Sequence, residues 1–239
     1  MAKLLAQGEI VNCCRCARLV EYREAVARDK VKRFRDWEYW GRPVPSFGPI
    51  GARLLIIGLA PAAHGGNRTG RIFTGDRSGD WLYRALYKFG FANQPTSLNR
   101  DDGLRLIDCY ITAAIHCAPP DNKPLPAEFV NCRPYLLDEL QQLKKVRVVV
   151  ALGLIGFKTY FIARKQLGWK NPSPLPSFGH GMAAKLEDGV TVISSYHPSQ
   201  QNTQTGKLTE SMFDDVFRRA REILKTTQTQ RHRESPGRA

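Results

Sequence analysis

Four short apolar runs limit what this chain can fold into. They are RLLIIGL at 53–59, DCYITAAI at 108–115, VRVVVAL at 146–152 and VTVISSY at 190–196. Each is rich in β-branched residues and bounded by Gly, Pro or charge. Continuous apolar runs of this length read as strands buried on both faces. Helical patterns follow them at 79–89, 126–143, 154–166 and 209–224. In the last, Met212, Phe213, Val216, Phe217, Ala220, Ile223 and Leu224 fall on one face. Strand–helix alternation predicts an α/β fold, a parallel sheet with helices on both faces. A further helix is expected at about 14–28. An aromatic, Pro-rich segment, WEYWGRPVPSFGP, follows it and is expected to wrap over the core.

No repeat and no linker divides the chain, so residues 1–224 read as one domain. Residues 225–239 (KTTQTQRHRESPGRA) lack apolar periodicity and read as a disordered basic tail. With 42% hydrophobic residues among 239, global disorder is excluded. No run approaches the ~18 apolar residues of a membrane-spanning helix. The opening MAKLLAQGEIVNCC is broken by Gln7, Gly8 and Glu9 and makes a poor secretory signal, so a cytoplasmic protein without a membrane partner is expected. The formal net charge is +14, of which +3 falls in 225–239 and +11 in 1–224. Such an excess favours an acidic partner, with nucleic acid first.

Ligands of such folds sit beyond the carboxyl ends of the strands. After the first run comes a loop with Gly58, Ala60, His64, Gly65, Phe73 and Asp76; its glycines let backbone N–H groups approach an anion or a base edge. It has neither the Gly-Lys-Ser/Thr of a phosphate loop nor a dinucleotide fingerprint. After the second run comes His116-Cys117-Ala118-Pro119-Pro120-Asp121-Asn122, and after the fourth His197-Pro198-Ser199-Gln200-Gln201-Asn202. A strand-end His can donate to charge developing in a cleft, and Asp76 can position a water. Of six cysteines, Cys13-x-x-Cys16 looks like half of a thiolate site, which Cys117 and Cys132 could complete. Spacing alone leaves an iron–sulfur cluster, zinc and free thiols open. Cys109 reads as a core thiol.

GLAPAAHG, FTGDRSG, the second-strand end with Cys117, and HPSQQN, in that order, resemble the uracil-DNA glycosylase superfamily. The match is closest to family 5, the B-type enzymes, and covers about residues 10–224. The resemblance implies a three-layer α/β/α sandwich, here around a central four-stranded parallel sheet. It also implies a [4Fe-4S] cluster on Cys13, Cys16, Cys117 and Cys132. The implied activity is monofunctional removal of uracil, hypoxanthine and xanthine from double-stranded DNA by a monomer. By the same mapping Asp76 activates water, His197 stabilises the leaving base, and Phe73 stacks on it. Gly58, Ala60, His64, Gly65, Asn122 and Asn202 line the base site, and Ser199, Gln200 and Gln201 face DNA. Ala60 stands where other branches place an Asp or Asn that positions water, which leaves that task to Asp76. Ala113 stands where uracil-specific relatives place an Asn that reads the pyrimidine edge, which implies relaxed base discrimination. An iron–sulfur redox protein and a non-catalytic DNA-binding module are the alternatives.

Overall fold

The structure, a computed structural model, describes residues 5–233, with side chains for 8–226. The first two helices, α1 (Leu5–Val11) and α2 (Ala17–Asp29), are separate, and Cys13, Cys14 and Cys16 lie in the loop between them. A 3-10 turn, Lys32–Phe34, leads into the aromatic segment. Then come β1 (Leu54–Gly58), α3 (Gly66–Thr69), α4 (Arg77–Lys88), β2 (Cys109–Ala113) and α5 (Pro126–Gln142). The chain ends with β3 (Val148–Leu152), α6 (Gly153–Gln166), β4 (Ala183–Lys185), β5 (Thr191–Ser195), α7 (Gln200–Gln204) and α8 (Glu210–Arg233).

The sheet order is β2-β1-β3-β5-β4. The four expected strands are parallel and every residue in them is buried. One face packs Leu54, Ile56, Ile111 and Val150 against Leu82 and Leu86 of α4 and Phe213 and Phe217 of α8. The other packs Leu55, Ile57, Val149 and Ala151 against Leu136 and Leu140 of α5 and Phe157 and Phe161 of α6. This is the three-layer sandwich. Two-sided burial explains why the strands read as unbroken apolar runs.

The sheet has five strands, not four. β4 pairs antiparallel with the first three residues of β5, Thr191–Ile193. It spans three residues, none of them buried, so it carries no apolar run. Its signal is the turn Leu186-Glu187-Asp188-Gly189, closed by the Leu186 N–H to the Val190 carbonyl at 2.8 Å. The aromatic segment covers the free edge of β2, with Phe47 and Ile111 exchanging N–H···O bonds of 2.9 and 2.8 Å. The tail expectation changes too. Residues 225–233 continue α8, and 234–239 lie outside the described residues. KTTQTQRHR holds no Gly or Pro, and extending an existing helix avoids the cost of nucleation.

After β1 the chain places β2 on one side and β3 on the other. The crevice beyond the ends of β1 and β3 is therefore the topological switch point where ligands of such sheets bind.

Candidate active site

The loops after β1 and β5 meet at the carboxyl ends of the strands, beside Gly153, where β3 passes directly into α6. Gly58 ends β1, and a Cβ there would stand 2.7 Å from Cζ of Phe73. Phe73 itself sits at φ +54°, a conformation that a bulky residue adopts only when its surroundings enforce it. Its ring faces the His197 ring at 5.8 Å and 27°. Thr74, next along, is pinned to Ser97 at 2.6 Å, and Arg71 bonds Ser97 at 3.0 Å and pairs with Asp102 at 2.8 Å. The loop carrying Phe73 is thus anchored on buried polar contacts.

Asp76 is the N-cap of α4, with its Oδ1 accepting the Gly79 N–H at 3.0 Å. A Cβ on Gly65 would overlap Asp76 Oδ2, so the carboxylate lies directly against the first glycine-rich loop. Burial pushes the Asp76 carboxyl up from its usual range, against the pull of the Gly79 and Ser78 amides and of Arg68. An open cleft of about 770 Å³ adjoins it, lined by Asp76, Arg68, Arg33, Trp37, Trp81 and Gln200.

His197 follows β5, and burial depresses its imidazole to about 4, so the ring is neutral at pH 7. A neutral ring can donate one hydrogen bond without carrying charge into the site. Asn202 donates from its Nδ2 to the His197 carbonyl at 2.8 Å and holds that loop closed. Ser199 caps α7 by accepting the Asn202 N–H at 3.4 Å. Gln200 and Gln201 stand exposed on α7. His64 shares a 3.1 Å hydrogen bond between its Nδ1 and the Tyr39 hydroxyl; burial, then the nearby Arg68 charge, lowers its pKa. Ala60 packs toward Leu19, Ala114 and Ile115. Asn122 lies exposed in the 3-10 turn Pro120–Asn122 at φ +56°, with no side-chain hydrogen bond among the described residues.

Cys13, Cys16, Cys117 and Cys132 line one cavity between α2, α5 and the loop after β2. Among the described residues, no three His, Cys, Asp or Glu side chains converge as ligands of a metal ion. The sulfurs border a shared space instead. Three of them accept N–H donors. Arg23 Nη1 reaches Cys117 Sγ at 3.1 Å, the His116 amide reaches Cys132 Sγ at 3.4 Å, and Asn131 Nδ2 reaches Cys16 Sγ at 3.5 Å. Burial pushes the Cys117 thiol up to about 11 and Cys132 higher still, so empty of a cation these would be neutral thiols. A buried guanidinium aimed at sulfur suits a thiolate. The donor set therefore fits a thiolate-bound metal group. Cys109 is a core thiol in β2, and Cys14 is exposed.

Sequence reading missed Arg23, Tyr39 and Arg68. Arg23 is seven residues beyond Cys16 on one helix, so helical spacing places it near the Cys16 face. The other two carried no signal, because Tyr39 bonds His64, 25 residues along the chain, and the rings that hold Arg68, Phe34 and Trp37, lie far upstream of it.

A family model described as the uracil DNA glycosylase superfamily matches residues 45–221. A type-5 uracil-DNA glycosylase of Mycobacterium leprae is 50% identical over 217 residues, covering 90% of this chain and 93% of that one. The Thermus thermophilus type-5 enzyme is 48% identical over 219 residues, covering 90% and 95%. A type-4 uracil-DNA glycosylase of Pyrobaculum aerophilum is 34% identical over 163 residues, covering 68% and 74%. The strand-end loops and the four-cysteine cavity stand within a chain so matched along most of its length, and this chain belongs to the uracil-DNA glycosylase superfamily, on its type-5 branch.

Proposed function

We propose that this protein hydrolyses the N-glycosidic bond of uracil in double-stranded DNA and leaves an abasic site. Hypoxanthine and xanthine are further substrates. One observation carries the reading: a buried carboxylate, Asp76, adjoins the loops that bring Phe73 and the neutral His197 together at the strand ends.

The chemistry follows from those groups. Extruding a nucleotide costs a few kcal/mol, and least at a mismatch, which favours deaminated bases over paired ones. The base stacks on Phe73. The glycosidic bond breaks with its electron pair on the base. Backbone N–H groups of the 58–65 loop and a His197 N–H stabilise that negative charge. Asp76 orients a water toward C1′ and takes its proton as the C–O bond forms. No lysine is drawn into this scheme for a Schiff base, so the strand is not cut. Ala113 supplies no polar edge to reject other bases, which supports the wider substrate range, and Ala60 has no polar atom to position water, which leaves that task to Asp76.

Cys13, Cys16, Cys117 and Cys132 would hold a [4Fe-4S] cluster with a structural role. The net charge of +14 supports phosphate contacts, with Gln200 and Gln201 on the DNA side. No helix among the described residues is long and apolar enough to cross a membrane. We take the protein to act as a cytoplasmic monomer.

The test is excision from a panel of duplexes carrying uracil, hypoxanthine or xanthine, by the wild type and by Asp76→Asn. Wild-type release of base with loss in the variant supports the reading. A wild type that binds the duplexes and releases nothing leaves a DNA-binding module or a redox protein. Full activity in Asp76→Asn removes that carboxylate from the mechanism.

A further inference from the structure

Arg68 is a cation buried where little neutralises it. It is 4% exposed and forms no ion pair among the described residues. Its Nε donates to the His64 carbonyl at 2.8 Å and its Nη2 to the Gly75 carbonyl at 3.1 Å. Nη1 is buried without a hydrogen-bond partner. The guanidinium carbon lies 3.9 Å from the ring centre of Phe34 and 4.1 Å from that of Trp37. Those two rings meet edge to face and form a corner that holds it. Leaving a buried guanidinium nitrogen unpaired costs on the order of 1–3 kcal/mol or more, so a purely structural use would be a poor one.

Its two acceptors are informative. His64 precedes Gly65, whose missing side chain makes room for the Asp76 carboxylate. Gly75 precedes Asp76 itself. A single planar group therefore spans the two loops whose separation locates that carboxylate, and both residues line the same cleft.

We propose that Arg68 is a positioning residue of the excision reaction. Its guanidinium, held in the Phe34–Trp37 corner, ties the His64 and Gly75 carbonyls together and sets the Asp76 carboxylate, with a fixed positive charge beside it, against the base-binding loop. The inference rests on Asp76 being the water-activating group.

The pH behaviour gives a sign. Asp76 works ionised, so rate falls as pH drops through its pKa. The charged groups facing it are Arg68 from α3 and Asp80 and Arg77 from α4, with Arg33 across the cleft. Burial and Asp80 raise its pKa, and Arg68 lowers it. Removing the Arg68 charge therefore moves the acid limb of the rate profile to higher pH.

The experiment is single-turnover excision of uracil from a duplex, across pH, by Arg68→Met, Arg68→Lys and Trp37→Leu. Arg68→Met should be slower by about 100-fold, the order expected for a misplacement of 1 Å, with little change in duplex affinity. Its acid limb should move to higher pH. Arg68→Lys keeps the charge but cannot span both carbonyls, so its rate should fall while its acid limb stays near that of the wild type. Trp37 is a third exposed, so Trp37→Leu loosens the corner without opening a cavity, and stands in should Arg68→Met not fold. Opening the corner lets the guanidinium move off the Asp76 carboxylate, so this variant should be slower with its limb displaced the same way, by less than in Arg68→Met. A wild-type rate, or a slow rate with an unmoved limb in Arg68→Met, or in Trp37→Leu when that variant stands in, overturns the inference. Asp76→Asn separates the two readings. If it is inactive while the Arg68 variants keep the wild-type limb, only the role of Arg68 falls. If it is fully active, the reading beneath falls as well.

Discussion

Gly65 has no side chain because the Asp76 carboxylate occupies the space where one would go. The glycine is needed there for room. Gly65→Ala should therefore push the carboxylate aside and lower the single-turnover rate by about 100-fold, while duplex binding holds. Excision kinetics beside a binding isotherm check this, and an undiminished rate would show that the carboxylate has slack. Contacts of this kind explain what was legible at this scale. Gly58, Asp76 and His197 could be picked out as candidates because they lie in the segments that follow apolar runs, where α/β sheets bind ligands, whereas Phe73 was a candidate only through the family resemblance. Arg68 could not, since a cation in a loop of small residues reads as solvent-facing. Only the fold brings Phe34 and Trp37 to it from more than thirty residues upstream. Asn202 was legible as a site residue but not in its role, because a bond to the His197 carbonyl depends on how the α7 turn closes.

At the scale of elements, α4 begins at the proposed reaction centre, and its N-cap is Asp76. The carboxylate satisfies an orphan amide of the first turn and, in the proposed mechanism, also serves the chemistry. The duties separate by substitution. Asn keeps a capping oxygen and removes the buried charge, whereas Ala removes both. Asp76→Ala should therefore be less stable than Asp76→Asn by about 1 kcal/mol, the usual worth of a cap, although both lose excision. Denaturant midpoints at pH 7 measure the difference, and equal midpoints would mean that the cap contributes nothing to α4. The elements were legible in proportion to their burial. The four parallel strands bury both faces and announce themselves, whereas β4 is short and half-exposed and depends on β5 for its existence. The end of α8 ran past its apolar face because helix continuation needs no core, only the absence of a breaker.

Across the whole molecule, the cysteine cavity and the proposed reaction centre are joined by a short series of contacts. Arg23 donates to Cys117 Sγ and to the Cys13 carbonyl, the latter at 3.2 Å. The Arg23 carbonyl accepts from Asn67 Nδ2 at 3.1 Å, and Asn67 neighbours Arg68 in α3. Arg18 reinforces the joint by pairing with Glu128 of α5 at 2.8 Å. A cluster bound there would staple α2 to α5 and to the loop after β2, and α2 leads directly into the Phe34–Trp37 corner. Loss of the cluster should therefore act locally before it acts globally. Purified wild type should show the visible absorbance of sulfur-to-iron charge transfer. Cys117→Ser should lose that absorbance and should become sensitive to proteolysis within residues 17–40, with excision reduced. The central sheet, with its two separate cores, should stay folded. Limited proteolysis read by mass spectrometry, beside circular dichroism, distinguishes this from global unfolding. A colourless wild type would sink the cluster, and unchanged protection of 17–40 in a cluster-free variant would detach the cysteine site from the active centre.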